Sequence, residues 1–208
     1  MPAEQDAIVF LCVGDDAIPA VAEGLHGRLP SGTALVHCAG SSPSLPYPTR
    51  RTGVLWPVQS VTAGTEPDWA NLPLVIQSSH AAFAKTLSDV AACLSQATPT
   101  LVDADVDRQA LHLGACMVQN FGNLLWGLAA EVLADRGLDY RTLLPLGSDH
   151  LGKLSAEAPM ALQTGPAARG DESTLRRHRE ALRPYPDAYA AYTELSDIIR
   201  RRSGRTLT

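Results

Sequence analysis

The sequence predicts an α/β half followed by an all-α half. Three observations carry this. Short apolar, β-rich runs alternate with helical ones as far as residue 103, the rhythm of a largely parallel sheet with crossover helices. No convincing strand follows. The second half is instead rich in Ala and Leu, and one segment dense in glycine, proline, arginine and aspartate interrupts it. The expected domains are residues 1–103 and 104–208.

The elements follow in order. Ala7–Val13 is a continuous apolar run, as expected of a strand covered on both faces. Asp16–Arg28 reads as a helix with Asp15 or Asp16 as its cap. Thr33–Cys38, Val54–Trp56, Leu72–Gln77 and Thr100–Val102 read as further strands, and Ala81–Ser95 as a helix. Ser41–Pro48 is a proline-rich loop. Asp105–Arg136 reads as one long helix, closed by Gly137 as a C-cap. Gly114, Gly122 and Gly127 within it permit close helix packing. Tyr140–Leu154, Glu172–Leu182 and Ala188–Arg202 complete the helical half.

Composition bounds the function. The 208 residues carry a formal charge of −5, which favours neither nucleic acid nor an acidic surface. No apolar run approaches the roughly 20 residues needed to span a bilayer, and the start lacks a basic signal-peptide region. A cytoplasmic protein is expected. Cys12, Cys38, Cys93 and Cys116 are widely spaced with no C-x-x-C pair, so reduced thiols are expected, without metal or a disulfide framework.

Four places could carry chemistry. Gln163–Asp171 holds two glycines, a proline, Arg169 and Asp171 between helical patterns. Arg169 offers a planar fork for a carboxylate or phosphate, and Asp171 stands at an N-cap position. A capped turn and an anion site are both open. His112, Cys116 and Asn120 recur every four residues and form one stripe. They are either satisfied inside a bundle or face a cleft, His112 as proton donor and Asn120 orienting a carbonyl. Gly14-Asp15-Asp16 follows the first strand and His37-Cys38-Ala39-Gly40 ends the second. Such strand ends border ligand crevices in α/β sheets, although a helix cap at Asp16 and a structural role for His37 are the simpler readings.

Thr164-Gly-Pro-Ala-Ala-Arg-Gly-Asp171, with His178 after it, resembles the signature of Rossmann-like oxidoreductases that carry domain of unknown function (DUF) 2520. Val13-Gly-Asp-Asp-Ala-Ile18, His37-Cys-Ala-Gly-Ser41, Trp56-Pro-Val-Gln-Ser60 and the His112/Asn120 helix match in order. The family is similar in design to pyrroline-5-carboxylate reductases and 6-phosphogluconate dehydrogenases. The resemblance implies a partial Rossmann-like parallel sheet, then a 6-phosphogluconate-dehydrogenase-like helical domain that dimerises. It implies NADP, bordered by Val13, Gly14, Asp15, His37, Cys38, Ala39 and Gly40. It implies a small substrate with an anionic group, near Gln59, Ser60, Thr164, Arg169, Asp171 and His178, with His112 and Asn120 as catalytic groups.

Departures qualify this. Gly14 stands where the family has proline, and Trp56 where it has histidine. Cys116 occupies the place of a lysine used in hydroxyacid dehydrogenases of related fold. The sequence contains no Gly-x-Gly-x-x-Gly run, the turn that holds the dinucleotide pyrophosphate, and its first strand resembles the family's fourth. An NADP-dependent reductase acting on a small carbonyl or imine is the leading expectation. A non-catalytic or truncated dimeric binding module that has lost nucleotide binding is the rival.

Overall fold

A computed structural model describes residues 7–62 and 64–204. Its contacts divide the chain into two compact units, the first ending at Asn120 and the second beginning at Phe121.

The first unit is built on a five-stranded sheet in sequential order, β1 (Ile8–Leu11), β2 (Ala34–His37), β3 (Thr52–Pro57), β4 (Leu74–Gln77) and β5 (Thr100–Leu101). The β1–β2, β2–β3 and β4–β5 pairings are parallel. The β3–β4 pairing is antiparallel, Val54 opposite Gln77 and Pro57 opposite Leu74. Among the described residues the connection from β3 to β4 contains no crossover α-helix, so the chain returns along the edge it has just left.

Alternation sorts the apolar runs onto two faces. Val36, Leu55, Leu74 and Ile76 meet Phe83, Leu87 and Ala91 of α2 (Ala81–Leu94) on one face. Leu35 meets Ile18 and Ala22 of α1 (Ile18–His26) on the other. On that second face Val54, Trp56 and Val75 pack with Ala115, the last residue of α3 (Asp105–Ala115). Leu87 is fully buried in the first cluster, and its truncation to alanine is expected to cost roughly 2–5 kcal/mol.

Local signals were partly overruled. A 3₁₀ turn, Asp15–Ala17, precedes α1, and neither Asp15 nor Asp16 caps it by a side-chain hydrogen bond. Instead Asp15 accepts from the Ser41 hydroxyl at 3.0 Å. The expected single helix from Asp105 is α3, a π-helical turn at Cys116–Asn120, and then α4 (Phe121–Ala134) in the second unit. The first unit thus extends beyond the expected boundary after residue 103, because Arg108 anchors α3 to the sheet.

The second unit contains α4, a 3₁₀ turn at Tyr140–Leu143, α5 (Leu144–Leu154), α6 (Pro166–Arg169), α7 (Glu172–Ala181) and α8 (Pro186–Arg202). Gly137 ends α4 as expected, with φ +68° and its N–H on the Ala134 carbonyl. The short α6 was not expected. Proline opens it and Gly170, at φ +72°, closes it, the usual asymmetry of helix ends.

Candidate functional site

Trp56 leaves the sheet on β3 and its ring meets His112 of α3, centroids 5.5 Å apart. Gly40 lies against both rings. A Cβ atom there would sit 2.6 Å from His112 Cδ2 and 2.6 Å from Trp56 Cε2. The close approach that glycine permits at this strand end is therefore made by the chain's own rings. Cys116 Sγ lies 3.9 Å from His112 Nδ1.

Trp56, His112 and Cys116 wall a cavity of about 630 Å³ that Gln59, Ser60 and Asn120 also line. The π turn explains why Asn120 joins His112. An α-helix carries each fourth residue progressively round its axis. A π turn winds each residue less far, which cancels the drift and returns Asn120 toward the His112 side. The cavity combines an apolar wall with an imidazole, amides, a hydroxyl and a thiol. It suits a small polar molecule that needs a hydrogen-bond partner and a proton donor.

Arg108 fixes this arrangement from beneath, and sequence reasoning missed it. Its side chain is fully buried. Nε donates to Gln77 Oε1 at 2.8 Å, Nη1 to the Ala39 and Gly40 carbonyls at 2.9 and 2.7 Å, and Nη2 to the Ser42 carbonyl and Asp105 Oδ1 at 2.5 and 2.9 Å. All of its N–H donors are thereby used. Asp105 also accepts from the Ser44 backbone at 3.1 Å and hydroxyl at 2.7 Å, and from Gln77 Nε2 at 3.0 Å. Burial pushes the Asp105 carboxyl upward, but the bonds from Ser44, Arg108 and Gln77 outweigh it and hold its pKa at about 2. The loop after β2 is thus tied to α3 and to β4.

His37 is fully buried next to this hub. Its Nδ1 accepts from the Ala39 N–H at 3.2 Å. Among the described residues Nε2 closes no hydrogen bond of normal geometry. Burial first, then the Arg108 charge, lower its pKa to about 4, against the upward pull of the Pro43 carbonyl, Asp105 and Asp15. A neutral, enclosed imidazole cannot touch a ligand at the surface. His37, Ala39 and Gly40 therefore form the floor of the strand-end loops. Cys12, Val13, Gly14 and Asp15 are exposed beside them, and among the described residues nothing beyond its chain neighbours lies within 4 Å of a Cβ placed on Gly14. Cys38 is half-buried.

The remaining expected residues lie in the second unit. Asp171 caps α7, accepting from the Thr174 N–H at 3.1 Å and the Ser173 hydroxyl at 2.9 Å. The side-chain and backbone bonds from Thr174 come first in lowering its pKa to about 2. His178 Nδ1 and the Tyr192 hydroxyl are 2.8 Å apart. Arg169 is exposed, and among the described residues its side chain makes no hydrogen bond or ion pair. Thr164 precedes Gly165, which adopts φ +105°. The Thr164 side chain is exposed. Among the described residues no helix is long and apolar enough to cross a membrane.

The family described as Domain of unknown function (DUF2520) matches residues 72–199. The chain belongs to this family. It is similar to a protein from Bacteroides fragilis assigned provisionally as an NADP oxidoreductase, at 31% identity over 93% of this chain and 74% of that one, with a TM-score of 0.81. The TM1727 protein of Thermotoga maritima is 21% identical over 95% of this chain and 78% of that one, TM-score 0.72. An imine reductase from Aspergillus terreus, solved with NADPH4 and dibenz[c,e]azepine, is 15% identical over 96% and 76%, TM-score 0.58. The last two likenesses establish fold alone. No curated protein matches the chain. The α/β sheet followed by helices is thus the fold of nicotinamide-dependent oxidoreductases, as the resemblance implied.

Proposed function

We propose that this DUF2520 protein is an NADP-dependent reductase that acts on a small carbonyl or imine in the cavity beside Trp56. The observation that carries the reading is the convergence of His112, Asn120, Gln59 and Ser60 on one cavity of about 630 Å³. It is supported by similarity to a provisionally assigned NADP oxidoreductase.

The exposed Cys12–Asp15 edge has room for a nicotinamide ribose, and Gly14 leaves its Cβ direction open. Val13, Gly14 and Asp15 would hold the cofactor there, over a floor made by His37, Ala39 and Gly40. The cofactor supplies the hydride. The chain's own residues do the rest. Asn120 and Gln59 orient the carbonyl oxygen or imine nitrogen by hydrogen bonds. A ring nitrogen of His112 delivers the proton that neutralises that atom as the carbon is reduced. Trp56 excludes water from one wall, and Gly40 and Arg108 keep both rings in place. Thr164, Arg169, Asp171 and His178 are proposed as a loop of the second unit that takes a small anionic group, with Asp171 and His178 acting as supports.

A homodimer through the helical half belongs to the same reading. Leu124, Leu146 and Leu151 are more than half exposed, and among the described residues no neighbouring side chain or element comes within 4 Å of a Cβ placed on Gly114, Gly122 or Gly127.

The test is NADPH or NADH consumption at high cofactor concentration, screened over small aldehydes, ketones, 2-oxo acids and cyclic imines. The expected result is turnover of at least one class, lost about 10²–10⁴-fold in His112→Gln. Turnover of none, or turnover that His112→Gln and Asn120→Ala leave intact, contradicts the reading and favours the non-catalytic module.

A further inference from the structure

Cys12 and Cys38 lie one residue beyond β1 and β2. The register that pairs Leu11 with His37 carries the two cysteines side by side. Their Sγ atoms are 4.0 Å apart, and both are free thiols. Their separation of 26 positions hides this in the sequence. We propose that Cys12 and Cys38 form an oxidisable dithiol, a modification site at the strand ends that closes to an intramolecular disulfide.

The backbone geometry suits the bond. Neighbouring strands run about 4.8 Å apart, inside the roughly 4.4–6.8 Å that disulfides span between Cα atoms. Closure to an S–S length of about 2.05 Å is then a matter of side-chain rotation rather than strand movement. The two thiols differ in access. Cys12 is exposed and Cys38 half-buried. Burial, and then the neighbouring Cys12, push the Cys38 thiol up to about 12. Cys12 is therefore the sulfur that meets an oxidant and Cys38 the one that resolves it.

With a peroxide the chemistry balances in two steps. The Cys12 sulfur, as thiolate, attacks one oxygen; the O–O bond breaks, leaving a sulfenic acid and a hydroxide that takes up the thiol proton as water. The Cys38 sulfur then attacks the Cys12 sulfur. The S–O bond breaks, and the departing hydroxide takes the Cys38 proton as a second water. Two thiols and one peroxide give one disulfide and two waters. A low-molecular-weight disulfide reaches the same product by two thiol exchanges. The cross-link joins the bases of the Val13–Asp15 and Ala39–Ser42 loops, and it stands whether or not the chain is a reductase.

The experiment equilibrates the whole chain in glutathione mixtures from fully reduced to fully oxidised. The protein is then alkylated and its non-reduced tryptic peptides are mapped by mass spectrometry. Cys12 and Cys38 fall in separate peptides, cut after Arg28 and Arg50. The expected result is one cross-link between these two peptides, appearing in a single transition, reversed by dithiothreitol, present in Cys93→Ser and Cys116→Ser and absent in Cys12→Ser and Cys38→Ser. The wild-type map alone decides the pairing, should a serine variant fail to fold. Peptides that stay free or carry glutathione separately across the whole range overturn the proposal. So does a cross-link to Cys93, to Cys116 or to a second copy.

Discussion

Gly40 lies so close to His112 that a Cβ atom on Gly40 would stand 2.6 Å from the imidazole Cδ2. The Trp56 ring blocks the same direction at the same distance. Gly40→Ala must therefore displace one or both rings. Overpacking of this kind typically costs about 1–3 kcal/mol. Chemical denaturation should report that loss, and any turnover supported by His112 should fall further than stability does. An alanine variant as stable and as active as wild type would mean that the rings move freely.

Arg108 is the hub that holds the Gly40 carbonyl. Breaking a buried ion pair on one side typically costs about 3–5 kcal/mol. Asp105→Ala leaves the buried guanidinium without its carboxylate, but Asp105 itself is about one-third exposed, so a loss below that range, roughly 1–3 kcal/mol, is expected from urea unfolding. Arg108→Lys should not rescue Arg108→Ala, because a point charge cannot reach three carbonyls and an amide from one fork.

Stability should fall in two acid windows. His37 has a folded pKa of about 4, below its ordinary 6.5. The unfolded chain takes up a proton first, so stability is full above pH 6.5 and declines as the pH falls toward 4, by roughly 3 kcal/mol for this group. Asp105, held at about 2 against an ordinary 3.8, contributes stability that is present above pH 3.8 and lost as the pH falls toward 2. His37→Gln should flatten the first window and Asp105→Asn the second. Unfolding curves recorded at each pH check both, and unchanged slopes in these variants would remove His37 and Asp105 as the cause.

The strands were legible because Ala34–His37 and Leu74–Gln77 are buried throughout, and a strand covered on both faces reads as an unbroken apolar run. Asp171 was legible because its capping bond is local. Arg108 was not. In sequence, Asp105 and Arg108 look like an exposed pair one helical turn apart, and only the carbonyls after β2 make them a buried hub. The π turn leaves no glycine or proline at Cys116–Asn120 to announce it. His37 at a strand end reads either as a crevice residue or as a structural one, and its full burial beside the hub favours the structural reading.

The Arg169 loop separates by assay. Asp171→Ala removes the α7 cap and should lower the melting temperature. Arg169→Ala should leave it nearly unchanged, since the side chain makes no ion pair among the described residues. If the loop holds an anion, Arg169→Ala abolishes the thermal shift given by the carboxylates or phosphates that stabilise wild type, and Arg169→Lys does not restore it. Ligands that stabilise Arg169→Ala as well as wild type leave only a capped turn.

The assembly is measured by light scattering at micromolar concentration. A dimer is expected. Charged residues placed at Leu146 and Leu151 should convert it to a folded monomer. A wild-type monomer would contradict the pairing of helical halves.

The most direct test of the central claim follows the hydrogen itself. NADPH carrying deuterium at the transferring face of nicotinamide C4 is incubated with the protein and a substrate found in the screen, and the product is read by mass spectrometry. The account predicts one deuterium on the reduced carbon, with the label-transfer rate lowered about 10²–10⁴-fold in His112→Gln. Product without the label, or label transfer that His112→Gln leaves unchanged, would contradict it.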